Sequence, residues 1–322
     1  MATAAPAPTA SVDQRQAESG VDYEVGLESL GQWQIAWRKF RRHRLAMVGS
    51  VMLSCLVAAA ILGPIFMPFE FTNVPQPDVI VPAGRPPTWL MNPPNFSHIF
   101  GETGGLQRDV FQLTVNGAAT SLFVGFSSMA IGVILGTIVG TIAGFFGGWA
   151  DNLLMRVVDV MLSLPLLFVI LVASRFFGNG SPILIVIIFG LFSWMGVSRL
   201  VRSLFLSLRE QDFVEAARAV GVSEKRIAFR HILPNAISPI VVVASLLIAA
   251  NIISEAFVSF LGFGINPSTP TWGNILTNAL AFIPVGNWWW PFFPGMAIVL
   301  TVLAVNFIGD GLRDALDPRS RL

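Results

Sequence analysis

Residues 45–67 run for 23 positions without a charged side chain. As a helix this run is about 34 Å long, enough to cross a hydrocarbon core of about 30 Å. In lipid no water is present to satisfy backbone N–H and C=O groups, so such a run reads as a helix that pairs them internally. Comparable apolar stretches lie within residues 118–146, 153–177, 183–197, 236–261 and 291–308. The chain is 54% hydrophobic and 12% charged, with a mean hydropathy of +0.68, whereas a soluble domain is about 25% charged. The expected fold is therefore an all-α membrane protein with six transmembrane helices.

The basic residues assign a side to each connection, because cytoplasmic loops carry an excess of Lys and Arg. Residues 1–29 are rich in Ala, Pro, Ser and acidic residues, carry no signal-peptide pattern, and read as a disordered cytoplasmic tail. Within residues 30–44, Trp33, Ala36, Trp37 and Phe40 recur at helical spacing, while Arg38, Lys39, Arg41 and Arg42 fall largely elsewhere on the wheel. That segment is an amphipathic interfacial helix or a basic flank that sets topology, and the two readings are compatible. Residues 45–322 form the six-span domain. Its loop 68–117 is proline-rich, has only Arg85 and Arg108 as basic residues, and is expected outside. Residues 198–235 hold Arg199, Arg202, Arg209, Arg218, Lys225, Arg226 and Arg230, which places them in the cytoplasm. Residues 262–287 have no charge and are expected outside, with Trp288, Trp289 and Trp290 as an aromatic anchor at the interface. Arg313, Arg319 and Arg321 return the C-terminus to the cytoplasm, where the N-terminus also lies.

Catalytic chemistry is sparse. The only two lysines are Lys39, after Arg38, and Lys225, after Glu224, so no Gly-Lys-Ser/Thr phosphate loop exists. The three histidines, His43, His98 and His231, are far apart, and Cys55 is the single cysteine, so no metal site or disulfide is expected. A net charge of +1 gives no footprint for nucleic acid. Gly132, Gly136, Gly140 and Gly144 form a four-residue stripe expected to be a helix-packing surface. Arg156 and Asp159 are one turn apart and can pair. Glu255 and Arg175 lie at similar depth toward the outer side; they are expected to pair, or Glu255 bonds to small polar neighbours. No residue is identified as substrate-binding.

The one long polar passage in the second half is residues 211–235, QDFVEAARAVGVSEKRIAFRHILPN. It reads as two short helices around a turn: Gly221 supplies a left-handed conformation, Ser223 caps the second helix, and Pro234 stops it. It is either an ordinary loop or a docking device for a soluble partner.

EAARAVGVSEKRIAFRHILPN resembles the EAA loop of permease subunits in binding-protein-dependent ABC importers. The pattern is EAA, three residues, Gly, nine residues, Ile, one residue, Leu-Pro. Glu215, Ala216, Ala217, Gly221, Leu233 and Pro234 fall in register, while His231 occupies the isoleucine position, a departure typical of the peptide and nickel branch. The segments WRKFRRHRLAMVG, GFFGGWADNLLMRVVDVMLSLP, SFLGFGINPSTPTWGNIL and FPGMAIVLTVLAVNFIGDGLRDALDPR are similar to the C-type permease of dipeptide and oligopeptide importers. Where that family has GTD followed by GRDVF, this chain has Gly101-Glu102-Thr103 and Gln107-Arg108-Asp109-Val110-Phe111. The resemblance implies a type I importer permease fold and no ATPase site in this chain. ATP and Mg would bind two cytoplasmic ATPase subunits, coupled through Glu215, Ala216, Ala217, Gly221, His231, Leu233 and Pro234. It further implies a second homologous permease, an extracytoplasmic substrate-binding protein and contact with membrane lipid. Peptides are the implied cargo. Nickel chelates, glutathione and short oligosaccharides are alternatives, and a stand-alone channel or ion-coupled carrier is the reading from another class.

Overall fold

The structure is a computed structural model that describes residues 32–67, 92–103, 108–177 and 180–316. The tail at 1–29 and most of the proline-rich loop lie outside the described residues. Five helices are long and apolar enough to cross a membrane, and a sixth span exists if one sharply bent helix pair is counted as one.

Helix α1 (Gln32–Arg42) docks against the last helix, α10 (Trp289–Leu316), through buried Phe40 and half-buried Ala36, while Trp37 and the arginines Arg38, Arg41 and Arg42 stay exposed. His43 then interrupts the chain. Its Nδ1 accepts the Ala46 N–H at 3.1 Å, capping α2 (Arg44–Phe66), and its Nε2 lies 3.4 Å from Asp314 of α10.

Helix α3 (Val110–Phe146) starts well before residue 118, so residues 110–117 are helix and not loop. Asp109 explains the early start, because its Oδ1 accepts the N–H groups of Phe111 and Gln112 and satisfies donors that the first turn leaves free. Among the described residues the most extensive helix contact pairs α3 with α6 (Pro182–Leu208). Gly132, Gly136, Gly140 and Gly144 all face α6, where a Cβ would come within 2.5 to 2.7 Å of Ser193, Val197, Ser198 and the Arg202–Phe205 turn. Both faces repeat every four residues, so ridges and grooves stay matched along the crossing.

The apolar stretch expected as one span over 153–177 is two helices, α4 (Gly148–Leu162) and α5 (Leu166–Phe177), bent by 78°. Pro165 disfavours helical geometry at Leu164, and Ser163 Oγ donates back to Val160 O at 2.7 Å. Asp159 does not pair with Arg156: it meets Arg199 of α6 at 2.5 Å, and Asp151 pairs with Arg202. Helix α6 continues to Leu208, past the expected end of its span, because Val197, Ser198, Val201 and Phe205 are buried under α3.

After α7 (Asp212–Ala219) comes one continuous helix, α8 (Glu224–Phe260), with a π turn at Ile227–Ile232. Pro234 therefore does not stop the helix. The uncharged connection 262–287 holds α9 (Trp272–Ala279), opened by a capping box between Thr271 and Asn274, and a 3-10 turn at Leu280–Val285. Trp272 is fully buried. Of the expected aromatic anchor only Trp288 is exposed. Trp289 and Trp290 are packed with Val110 and Ile275, and Trp289 Nε1 donates to Glu102 O at 3.0 Å. A ring whose N–H has a protein partner gains nothing from the headgroup layer.

Candidate functional site

The end of the bundle carrying α7 holds the polar passage singled out from the sequence. Helix α7 ends in a Schellman turn: Val222 N–H reaches Ala217 O at 3.0 Å, Gly221 N–H reaches Arg218 O at 2.9 Å, and Gly221 has a φ of +80°. Arg218 pairs with Glu224 across that turn at 3.1 Å, which ties the two arms together.

Spacing then divides α7 into two faces. Val214 and Ala217, three residues apart, are buried in one cluster with Phe205 of α6 and Ile227, Ala228 and Ile232 of the π turn. Glu215 and Ala216 are exposed, as are Phe213, Ala219 and Val220. The EAA triplet is thus split: Ala217 is a core residue of the loop, and the outward surface is formed by Glu215 and Ala216. Of the other predicted residues, Gly221 and Pro234 are exposed, and His231 and Leu233 are half-buried at the base of α8. The seven are spread over α7, the turn at Gly221 and the first turns of α8, and only part of the set faces outward.

The pair expected between Arg175 and Glu255 is not formed. Arg175 is exposed on α5, whereas Glu255 is fully buried near the far end of α8 and accepts from Ser121 at 3.0 Å and Ser259 at 2.8 Å. The two hydroxyls in turn accept the backbone N–H groups of Trp272 and Ile265. Glu255 therefore belongs to a closed hydrogen-bonded set between α3, α8 and the start of α9, a structural role that needs no cation.

Residues that the sequence reading missed include Val214, Ile227 and Ile232, whose burial follows from helical spacing once α7 and the π turn are placed. Asn235 is another: its Nδ2 donates to His231 O at 2.7 Å. A third is the break at Ser163–Pro165. There Leu164, Pro165, Phe168, Val172 and Phe176 line an apolar groove of about 640 Å³. The Leu-Pro pair was the available signal for it. Among the described residues no group of three or more His, Cys, Asp or Glu could hold a metal ion.

Residues 132–322 match the family described as the inner membrane component of binding-protein-dependent transport systems, and residues 31–87 match the N-terminal transmembrane domain of oligopeptide transport permease C. A peptide permease protein of Brucella suis biovar 1 is 40% identical over 91% of this chain and 93% of its own length. The glutathione transport system permease of Escherichia coli O6:K15:H31 is 39% identical over 89% of this chain and 90% of its own. Among solved structures, an inward-facing form of a methionine ABC transporter superposes with a TM-score of 0.53 at 20% identity, covering 64% of this chain and 96% of that one.

Proposed function

The chain belongs to the inner-membrane-component family of binding-protein-dependent transport systems, and from that membership we propose how its parts divide the work of import. It is a multi-pass inner-membrane permease subunit of an ABC importer and works with ATPase and binding-protein partners. In our reading α7 and both chain ends face the cytoplasm, and the outward surface of Glu215 and Ala216 sits against one of two ATPase subunits. Those subunits bind ATP and Mg; this chain has no phosphate loop and hydrolyses nothing. A second homologous permease supplies the other half of the path, and an extracytoplasmic binding protein delivers the cargo.

The observation that carries this reading is the split of α7 into a buried face and an exposed one. Val214 and Ala217 share a cluster with α6 and the base of α8, so a push on Glu215 and Ala216 is passed to two long helices without a slack linker. Nucleotide-driven closure then tilts those helices as rigid bodies. Peptides are the cargo we favour, since both the peptide permease relative and the oligopeptide permease match point that way. Glutathione, itself a peptide, is the close alternative; nickel chelates, short oligosaccharides and a stand-alone channel or ion-coupled carrier have no comparable support.

The test uses the reconstituted importer with Glu215→Lys or Gly221→Asp in this chain. Both variants are expected to insert and assemble, and to lose ATP-driven uptake by about tenfold or more, within the usual range of coupling energies. Normal uptake by both variants would sink the docking assignment. Mass spectrometry of the ligand held by the co-purified binding protein identifies the cargo.

A further inference from the structure

The π turn at Ile227–Ile232 is an irregularity placed between α7 and the membrane-crossing part of α8. Leu233 N–H donates to Ala228 O, five residues back, instead of the α-helical four. Pro234 follows at once. In α geometry a proline has no N–H for the carbonyl four residues back, and its ring collides with that carbonyl, here Arg230 O. A wider turn just upstream relieves the collision. Asn235 comes next, and its side-chain Nδ2 donates to His231 O at 2.7 Å, supporting a carbonyl inside the turn. Two neighbouring residues of different chemistry therefore act on the same irregularity.

A π turn holds one surplus residue relative to α, and one residue of α-helix is a rotation of about 100°. The register of this turn consequently sets the angle about the α8 axis at which everything N-terminal to it projects. That angle has consequences for α7, whose buried residues Val214 and Ala217 share a cluster with Ile227, Ala228 and Ile232, and whose Glu215 points away from it.

We infer that Pro234 and Asn235 are positioning residues that hold the π turn and so fix the angle at which α7 is presented to the ATPase subunit. The inference rests on the docking role proposed above for α7. Neither residue needs to touch the ATPase. With both replaced, the turn relaxes to α, and α7 is displaced by up to one residue's rotation while the spans remain inserted.

The experiment reads the stimulation of ATP hydrolysis by the loaded binding protein in the complete reconstituted importer, together with retention of the ATPase subunits. Pro234→Ala combined with Asn235→Leu is expected to cut the stimulation by about tenfold or to release the ATPase. Deleting exposed Phe229 in that background removes the surplus residue and returns α7 to its original angle, so stimulation and retention are both expected to recover. A general loss of folding has no reason to be repaired by a deletion. The inference is overturned by a double variant that behaves as wild type, or by a loss that the deletion leaves unrepaired. Glu215→Lys separates the two levels: if it leaves stimulation intact, the docking reading fails, whatever the turn variants do.

Discussion

Ser121 of α3 and Glu255 of α8, 134 positions apart in the chain, are joined by a 3.0 Å hydrogen bond at the end of the bundle away from α7. Each hydroxyl that donates to this carboxyl also accepts a backbone N–H, from Trp272 in one case and Ile265 in the other. The carboxyl thus fixes where the non-helical connection leaves α8 and where α9 re-enters the bundle. Buried polar sets of this kind are favourable only when complete.

Glu255→Ala leaves two buried hydroxyls without their acceptor and opens a small void. A loss of roughly 2 to 5 kcal/mol is expected, read as a lower midpoint of thermal unfolding in detergent. Arg175→Ala, on an exposed side chain with no ion pair to Glu255, is expected to leave that midpoint within the scatter of surface substitutions. Equal effects would contradict the assignment.

The glycine stripe makes a comparison between two glycines in facing helices. At Gly136 of α3 a Cβ would lie 2.5 Å from Val197 Cβ and 2.7 Å from Trp194 O, whereas at Gly196 of α6 it meets nothing within 4 Å. Gly136→Ala forces the helices apart and is expected to cost about 1 to 3 kcal/mol. Gly196→Ala gains up to about 1 kcal/mol from helix propensity. Unfolding midpoints of the two purified variants should therefore move in opposite directions.

His98 bridges two carboxylates, with Nδ1 2.9 Å from Asp109 and Nε2 3.0 Å from Glu102. The hydrogen bond to Asp109 is the main cause holding its pKa above the ordinary value of 6.5, and the Glu102 charge adds to it. The imidazolium form is therefore favoured by folding. Its contribution is complete below 6.5 and is lost as pH rises through the folded-state value. Amide exchange at Gly101 and Glu102 is expected to speed up above that window by more than its intrinsic pH dependence. His98→Gln should remove the excess, and a wild-type profile in that variant would exclude the mechanism.

Much of the architecture follows from residue patterns. Charge-free runs located the long helices, and the EAA spacing located α7 together with the left-handed Gly221. Hydropathy averages over a window, however, and cannot see what a single side chain does at a boundary. Asp109 moved the start of α3 outward, and Ser198, Val201 and Phe205 carried α6 past the last purely apolar residue because α3 covers them. Pro234 has the pattern of a helix stop, yet a wider turn absorbs the ring that a regular helix would reject. Trp289 and Trp290 look like an interfacial belt by composition, but a hydrogen bond to Glu102 O turns one inward and packing under Phe282 holds the other. The split of the EAA triplet was also hidden, since which alanine faces inward depends on where α6 lies.

The burial of Trp272 bears on how the protein is made. Its ring N–H meets Thr114 O at 2.9 Å and its backbone N–H meets Ser121, partners that lie 158 and 151 positions earlier. Synthesis delivers α3 to the bilayer long before the ribosome has reached α8 or α9. Ser121 and Thr114 therefore stay without these partners until the final third of the chain has been made.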